Sequence, residues 1–308
     1  MELKLGKLPP VIDHRTIPLR AILRTEQLPE LPLVYDLHEV HNIVDNFVFR
    51  NAGEDALGNC VKASRAHQTL VFEGFEQGKQ IEITDQEVVD EYFKETGGRD
   101  TGLILLASIK DWRNDGWPVG GKNYKIYSFA SVDWLDHDEV KHCIHLLGGV
   151  NLGMKVYQTD LDQFNAGEGW HLTNNNGSFK GRHGIYAFRY RDIDNGIESV
   201  KYPDSSKVVS YSQDGVWVMT WGRGQFMTWD FFDARIDEAY GIVDNRNKWM
   251  GDDSPLDVEE LDAWLKKITE GNEEYNPCPF AQSITGALNR LARKLRRQSR
   301  FRTYRYGI

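Results

Sequence analysis

Residues 58–78 read GNCVKASRAHQTLVFEGFEQG, and Cys60 stands near the start of this run. Ala63, Ala66, Leu70 and Val71 recur at the spacing of one helical face. The preceding stretch RNAGEDALGN (50–59) is a loop, so Cys60 falls at or near a helix N-terminus. A thiol attacks as thiolate, and a helix N-terminus and a nearby imidazolium are two ways to lower its pKa. The second arises 123 residues later in GRHGIYAFRY (181–190), where His183, flanked by Gly184, opens a strand.

Around these two residues the sequence changes character once. The first stretch, LPPVIDHRTIPLR followed by LPELPLVYDL, contains five prolines and reads as extended chain lying on a body. Thr84 and Glu87 form a capping box that opens ITDQEVVDEYFKETGG, with Gly97 and Gly98 as its end. LILLASIKDWRNDG (103–116) continues the helical pattern. From GGKNYKIYSFASV (120–132) onward the segments alternate like strands, interrupted by one helix, DHDEVKHCIHLLGG (136–149). LGMKVYQ, HGIYAFRYRD, SKVVSYS, GVWVMTWG, QFMTWDFF and AYGIVD are the expected strands. Helices first and then a mostly antiparallel sheet make an α+β arrangement. Beyond Asp244, Ser254, Pro255 and the acidic turn of DVEELDAWLKKIT start a further helix.

Length and composition narrow the function classes. The 308 residues, 40% hydrophobic, with nine Trp, suffice for one large two-lobed globule or two small domains. No window approaches the roughly 18 apolar residues of a membrane span, and MELKLGKLPPVIDHRT lacks the apolar segment of a signal peptide, which points to the cytoplasm. Three cysteines, Cys60, Cys143 and Cys278, are too few for a disulfide framework and lack zinc spacing. His142 and His145 lie three apart on a helix, but Val140, Ile144 and Leu147 define its buried stripe and no carboxylate recurs at metal spacing, so no metal is expected. His67, seven residues after Cys60, reads as a satisfied core or boundary histidine. No phosphate-binding glycine motif and no Gly-x-Ser-x-Gly elbow occurs.

The order Cys60, His183, Trp221-Gly222 resembles the papain-like (C1-like) cysteine peptidases over most of residues 9–244. PPVIDHR resembles the start of their mature chains, GNCVKASRAH their Cys-bearing helix and ITDQEVVDEYFKETG the helix that follows. EVKHCIHLLGGVNLGMKV resembles the helix and strand before the histidine, HGIYAFRY the histidine strand, and VWVMTWGRGQFMTWDFF the Asn-Ser-Trp-Gly region. The pattern is similar to an uncharacterised C1-like group of bacterial and phage genomes in which Thr-Trp-Gly replaces Asn-Ser-Trp-Gly.

This resemblance implies a two-lobed α+β fold. Residues 1–250 would form the papain-like domain, with a helical lobe over about 10–115 and a sheet lobe over about 116–250; residues 251–308 would add C-terminal helices and a basic tail. It also implies a thiol hydrolase acting on peptide or amide bonds, with Cys60 as nucleophile, His183 as base, Trp221 shielding the histidine, and no cofactor. Met219 stands at the position of the family's imidazole-orienting Asn. Glu54 stands at that of its oxyanion Gln, where a carboxylate would repel the developing charge, so Asn51 is the oxyanion candidate if AGEDALG is an insertion. The alternative implied by Met219 is an inactive papain-like scaffold with a structural or binding role, for example associated with a phage particle or virion.

The charge distribution adds one expectation. Residues 277–308 carry eight Lys or Arg and no acid, leaving −17 on the residues before them. Ile284, Leu288, Leu291 and Leu295 recur at helical spacing among Arg290, Arg293, Lys294, Arg296 and Arg297, an amphipathic basic helix followed by RFRTYRYGI. An acidic protein surface, on this chain, a second copy in a homo-oligomer or a virion partner, is the favoured contact over nucleic acid or lipid. Deleting residues 281–308 should change the oligomeric state or the retention on immobilised nucleic acid at low salt, and raised salt should abolish the difference. No change in either measurement would leave the tail as a solubilising feature alone.

Overall fold

The computed structural model describes residues 2–193, 198–201, 208–211, 214–244 and 254–269. The basic tail and Cys278 lie outside the described residues. The chain divides into two compact units, one of residues 1–12 and 16–260 and the other of residues 13–15 and 261–308.

In the first unit, short 3-10 turns at Leu19–Ala21 and Thr25–Gln27 punctuate the proline-rich stretch before β1 (Val34–Asp36) and the single turn α1 (Leu37–Val40). Three helices follow: α2 (Cys60–Gln77), α3 (Asp85–Thr96) and α4 (Leu105–Asn114). The hairpin β2 (Trp117–Val119) and β3 (Lys122–Tyr124) leads to β4 (Ser128–Ser131), α5 (His137–Leu147), β5 (Val150–Tyr157) and α6 (Gln158–Ala166). The long β6 (Phe179–Arg191), the pair β7 (Glu198–Lys201) and β8 (Val208–Tyr211), and the hairpin β9 (Gly215–Thr220) and β10 (Arg223–Thr228) come next. A short α7 (Trp229–Arg235) leads to β11 (Ile236–Val243), and α8 (Val258–Thr269) crosses the division between the units.

The principal sheet runs β10-β9-β6-β5-β11-β4, with every neighbouring pair antiparallel and β1 added along β6. The expected α+β architecture, helices followed by an antiparallel sheet, is therefore present. β5 and β9 are buried along nearly their whole length, as strands covered on both faces must be.

α2 is the central helix, buried from Cys60 through Gly74. Such depth requires its polar residues to be matched. Lys62 Nζ lies 2.6 Å from Glu95 Oε2, and the Arg65 guanidinium sits over the rings of Trp112 and Trp117 while donating to Ser108 Oγ at 2.7 Å. His67 Nδ1 contacts both oxygens of Asp45 at 2.8 and 2.7 Å, which places this histidine in a buried pair behind the helix.

Two features depart from the sequence expectation. QFMTWDFF is not one strand: the strand ends at Thr228 and a helix begins at Trp229, because Thr228 Oγ1 and Asp230 Oδ1 both accept the N–H of Phe231 and start a turn. A second helix, α6, also interrupts the strand region. Asp160 accepts the N–H of Tyr157 at its start and Gly167 closes it in a left-handed conformation.

Candidate functional site

Cys60 is the first residue of α2 and His183 lies on β6 opposite Met154 of β5. Asn59, a residue type suited to capping, makes no cap; its Nδ2 donates instead to Phe49 O at 2.7 Å. The first peptide N–H groups of α2 thus stay free of a side-chain cap, and such groups favour negative charge. The N–H of Gly184 donates to Cys60 Sγ at 3.2 Å, so the residue after His183 is joined directly to the thiol. The N–H groups of Gly6 and Val61 also stabilise the thiolate form, as does the charge of Lys7, but burial dominates and pushes the Cys60 thiol up from its ordinary pKa.

The His183 ring is held on two sides. Its Nε2 lies 2.7 Å from Thr220 Oγ1, and its face stacks on Trp221 with centroids 4.1 Å apart and planes 19° from parallel. Nδ1 has no hydrogen-bond partner among the described residues. Burial alone drives the imidazole pKa down to about 3.

Thr220 and Trp221 reach one ring because of the turn between β9 and β10. Thr220 pairs with Arg223 across a two-residue loop whose members, Trp221 (φ 46°) and Gly222 (φ 83°), are both left-handed. A bulky aromatic rarely adopts that conformation, and the turn uses it to lay the indole over the imidazole.

Met219 does not stand in the orienting position that the sequence comparison gave it. Adjacent residues of a strand point to opposite faces, so with Thr220 facing His183, Met219 is directed away. The orienting atom belongs to the next residue.

Asn51 is buried, and its Nδ2 donates to Leu57 O at 3.2 Å and Asn59 Oδ1 at 3.4 Å, so the amide holds the loop before α2 together. Glu54 is exposed.

A component absent from the sequence reading covers the site. Residues Glu2–Leu8 run as an extended segment pinned to both halves of the molecule. On the helical side, Gly53 N–H donates to Glu2 O (3.0 Å), Lys4 N–H to Asn51 O (3.3 Å), Leu103 N–H to Gly6 O and Leu8 N–H to Leu103 O (both 2.8 Å). On the sheet side, Lys7 N–H donates to Arg182 O (3.3 Å) and the Trp221 indole N–H to Lys4 O (3.2 Å). Under this segment Cys60 is 1% exposed and His183 fully buried. The alternation in ELKLGKL (2–8) was the only mark it left in the sequence.

No protein-family model matches the sequence, and no curated protein matches it. Solved structures do. Xylellain, a cysteine protease from Xylella fastidiosa, superposes with a TM-score of 0.56 at 15% identity, covering 79% of this chain and 97% of that one. Procathepsin B S9 from Trypanosoma congolense gives 0.53 at 12% identity, covering 79% and 87%. The fold is papain-like. The structure of the cysteine protease and lectin-like domains of Cwp84 from Clostridium difficile gives 0.51 at 12% identity over 78% of this chain and 55% of that one.

The depressed His183 pKa carries a stability consequence with a definite sign. Its folded value, about 3, lies below the ordinary 6.5, so its contribution is complete above pH 6.5 and is lost as pH falls toward 3. At pH 5 that loss is on the order of 2 kcal/mol. His38, His41 and His145 are shifted in the same direction by burial, so the difference between the wild type and His183→Asn isolates the one ring. Denaturant unfolding at pH 7 and pH 5 should show a smaller acid loss in the variant. Equal losses would place no proton linkage on His183.

Proposed function

We propose that this chain is a thiol hydrolase of peptide or amide bonds, acting through Cys60 and His183, in a form closed by its own residues 2–8. The observation that carries the reading is the convergence on one point of a helix-start thiol and a histidine strand, joined by the Gly184 N–H and backed by the Thr220 hydroxyl. Xylellain and procathepsin B S9, with the same fold, are a cysteine protease and a procathepsin.

In the open form, the tautomer that serves catalysis has His183 Nε2–H donating to Thr220 Oγ1 and its lone pair on Nδ1. Nδ1 takes the thiol proton, and the Cys60 sulfur attacks the carbonyl carbon of the substrate. The peptide N–H of Cys60, at the start of α2, would receive the oxyanion. Collapse of the tetrahedral intermediate transfers the proton from His183 to the leaving amine and leaves a thioester on Cys60. Water, deprotonated by the same ring, then releases the acid and restores the thiol. Trp221 keeps bulk water from the Nε2 side, where it would compete for Thr220. Asn51, with its amide committed to Leu57 and Asn59, supports the shape of the loop before α2.

A second reading draws on the covered, neutral state of the pair: a papain-like scaffold that binds and does not cleave. The two readings separate on Gly6. A side chain there would overlap the backbone of Gly58, so Gly6→Val cannot seat the segment. In the intact chain at pH 7, Cys60 should alkylate slowly. Gly6→Val, or deletion of residues 1–8, should raise the rate roughly tenfold or more, shift its pH midpoint below the free-thiol value of about 8.5, and release hydrolysis of a fluorogenic peptide library. Cys60→Ala should abolish hydrolysis, and Thr220→Val should lower kcat by roughly 10- to 100-fold. An opened thiol that titrates like a free cysteine, with no hydrolysis, would leave the scaffold.

A further inference from the structure

Lys7 is the least expected occupant of this interior. Its side chain has no exposure, yet the ammonium is matched: Nζ lies 2.5 Å from Glu238 Oε1 and 3.2 Å from Asp237 Oδ1, and it donates to Leu8 O at 3.2 Å. The two carboxylates are themselves placed by the fold. Arg182 Nε donates to Asp237 Oδ2 at 2.9 Å and the Tyr240 hydroxyl to Glu238 Oε2 at 3.1 Å, leaving one oxygen of each acid turned to the lysine. Burial raises the Glu238 pKa and Lys7 opposes that shift, so the pocket is arranged for a cation.

Room for the lysine is also built into the sheet. Gly153, on β5 between Glu238 and Gly184, has no side chain where a Cβ would overlap Lys7 Cε. The neighbouring position is equally selective. Gly6 lies against Gly58 on one side, and a Cβ on Gly102 would overlap the Gly6 carbonyl oxygen on another. Asp100 holds these walls, accepting the Gly58 N–H at 2.9 Å and the Tyr92 hydroxyl at 2.6 Å, while Tyr92 accepts the Gly102 N–H at 2.9 Å. The segment is otherwise held by backbone hydrogen bonds, which any extended peptide could offer. Its two side-chain requirements are a missing Cβ at position 6 and a long cation at position 7.

We propose that the channel filled by residues 2–8 is a binding site for an extended peptide carrying glycine next to lysine or arginine, and that Asp237 and Glu238 select the basic side chain. This deepens the hydrolase reading by naming its substrate class: a basic side chain adjacent or next but one to the bond at Cys60. Binding itself needs no catalysis, so it can be tested apart from that reading.

The test uses the full chain with Gly6→Val and Cys60→Ala, which opens the channel and removes hydrolysis, and repeats it with deletion of residues 1–8. The probe is a fluorescent synthetic peptide of sequence LKLGKLP, read by anisotropy, beside versions with Met or Glu for its second lysine and Ala for its glycine. The lysine peptide should bind at least roughly tenfold more tightly than either lysine replacement, and the alanine peptide should be weakened as strongly. Asp237→Asn with Glu238→Gln in the protein should erase the preference for lysine over Met. In protein that retains Cys60, the lysine peptide should slow alkylation of the opened thiol and the Met peptide should not. Equal affinity for the peptides, a preference that survives the double substitution, or an opened channel that takes up no peptide would overturn the proposal. Because no arm measures hydrolysis, an inactive protein that binds the lysine peptide would sink only the enzyme reading.

Discussion

The contact of Gly184 N–H with Cys60 Sγ ties the histidine strand to the start of α2 at the thiol itself. Around it α2 packs along β6 and is pinned to β5, where Ser64 Oγ donates to Asn151 Oδ1 at 2.6 Å and the Asn151 amide donates to Gln68, while its other polar residues meet the buried charges and tryptophans of the helical half and β6 pairs with β5 and β9. Bringing a helix start onto the middle of a sheet leaves uncapped peptide N–H groups beside a buried sulfur. The arrangement is tolerable because sulfur is weakly polar and accepts those N–H groups loosely. It is useful because the same groups favour a thiolate once water or an imidazolium is near.

Around that contact, the sheet does more than carry the histidine. Thr220 and Trp221 come from a tight hairpin whose left-handed turn aims a hydroxyl at one ring edge and an indole at its face. A hydroxyl is a less demanding partner than an amide, since it can donate or accept. It therefore fixes the ring position firmly and the tautomer only through whichever proton the opposite nitrogen carries.

Local patterns made much of this legible in the sequence. The helix start at Cys60 and the capping box at Thr84 rest on short-range rules and lie at the expected places; the strand at His183 is also present, but it begins at Phe179, so the histidine lies inside it and does not open it. The family resemblance puts the position of the orienting Asn at Met219, one residue before the Thr220 hydroxyl that meets the ring, because a motif does not show which face of β9 the histidine sees. The helices α6 and α7 were missed where the aromatic, strand-like composition of their surroundings outweighed single capping residues. Residues 2–8 escaped notice because their order comes from long-range backbone pairing. Lys7, an ordinary surface residue by type, is buried by carboxylates more than two hundred positions away.

The cover and the chemistry are coupled through water. Burial is the largest influence on the Cys60 thiol and the sole influence on the His183 ring, and it drives them in opposite directions, toward two neutral groups. Withdrawing residues 2–8 also removes two opposing influences, the Gly6 N–H and the Lys7 charge. Burial, which withdrawal would relieve, ranks ahead of both the Gly6 N–H and the Lys7 charge among the influences on the thiol. The Gly184 and Val61 N–H groups stay. On the proposed reading, uncovering would lower the thiol pKa and raise that of the imidazole, moving the two toward the point where a proton could pass between them. One segment thus closes the channel by filling it and holds the pair neutral by drying it.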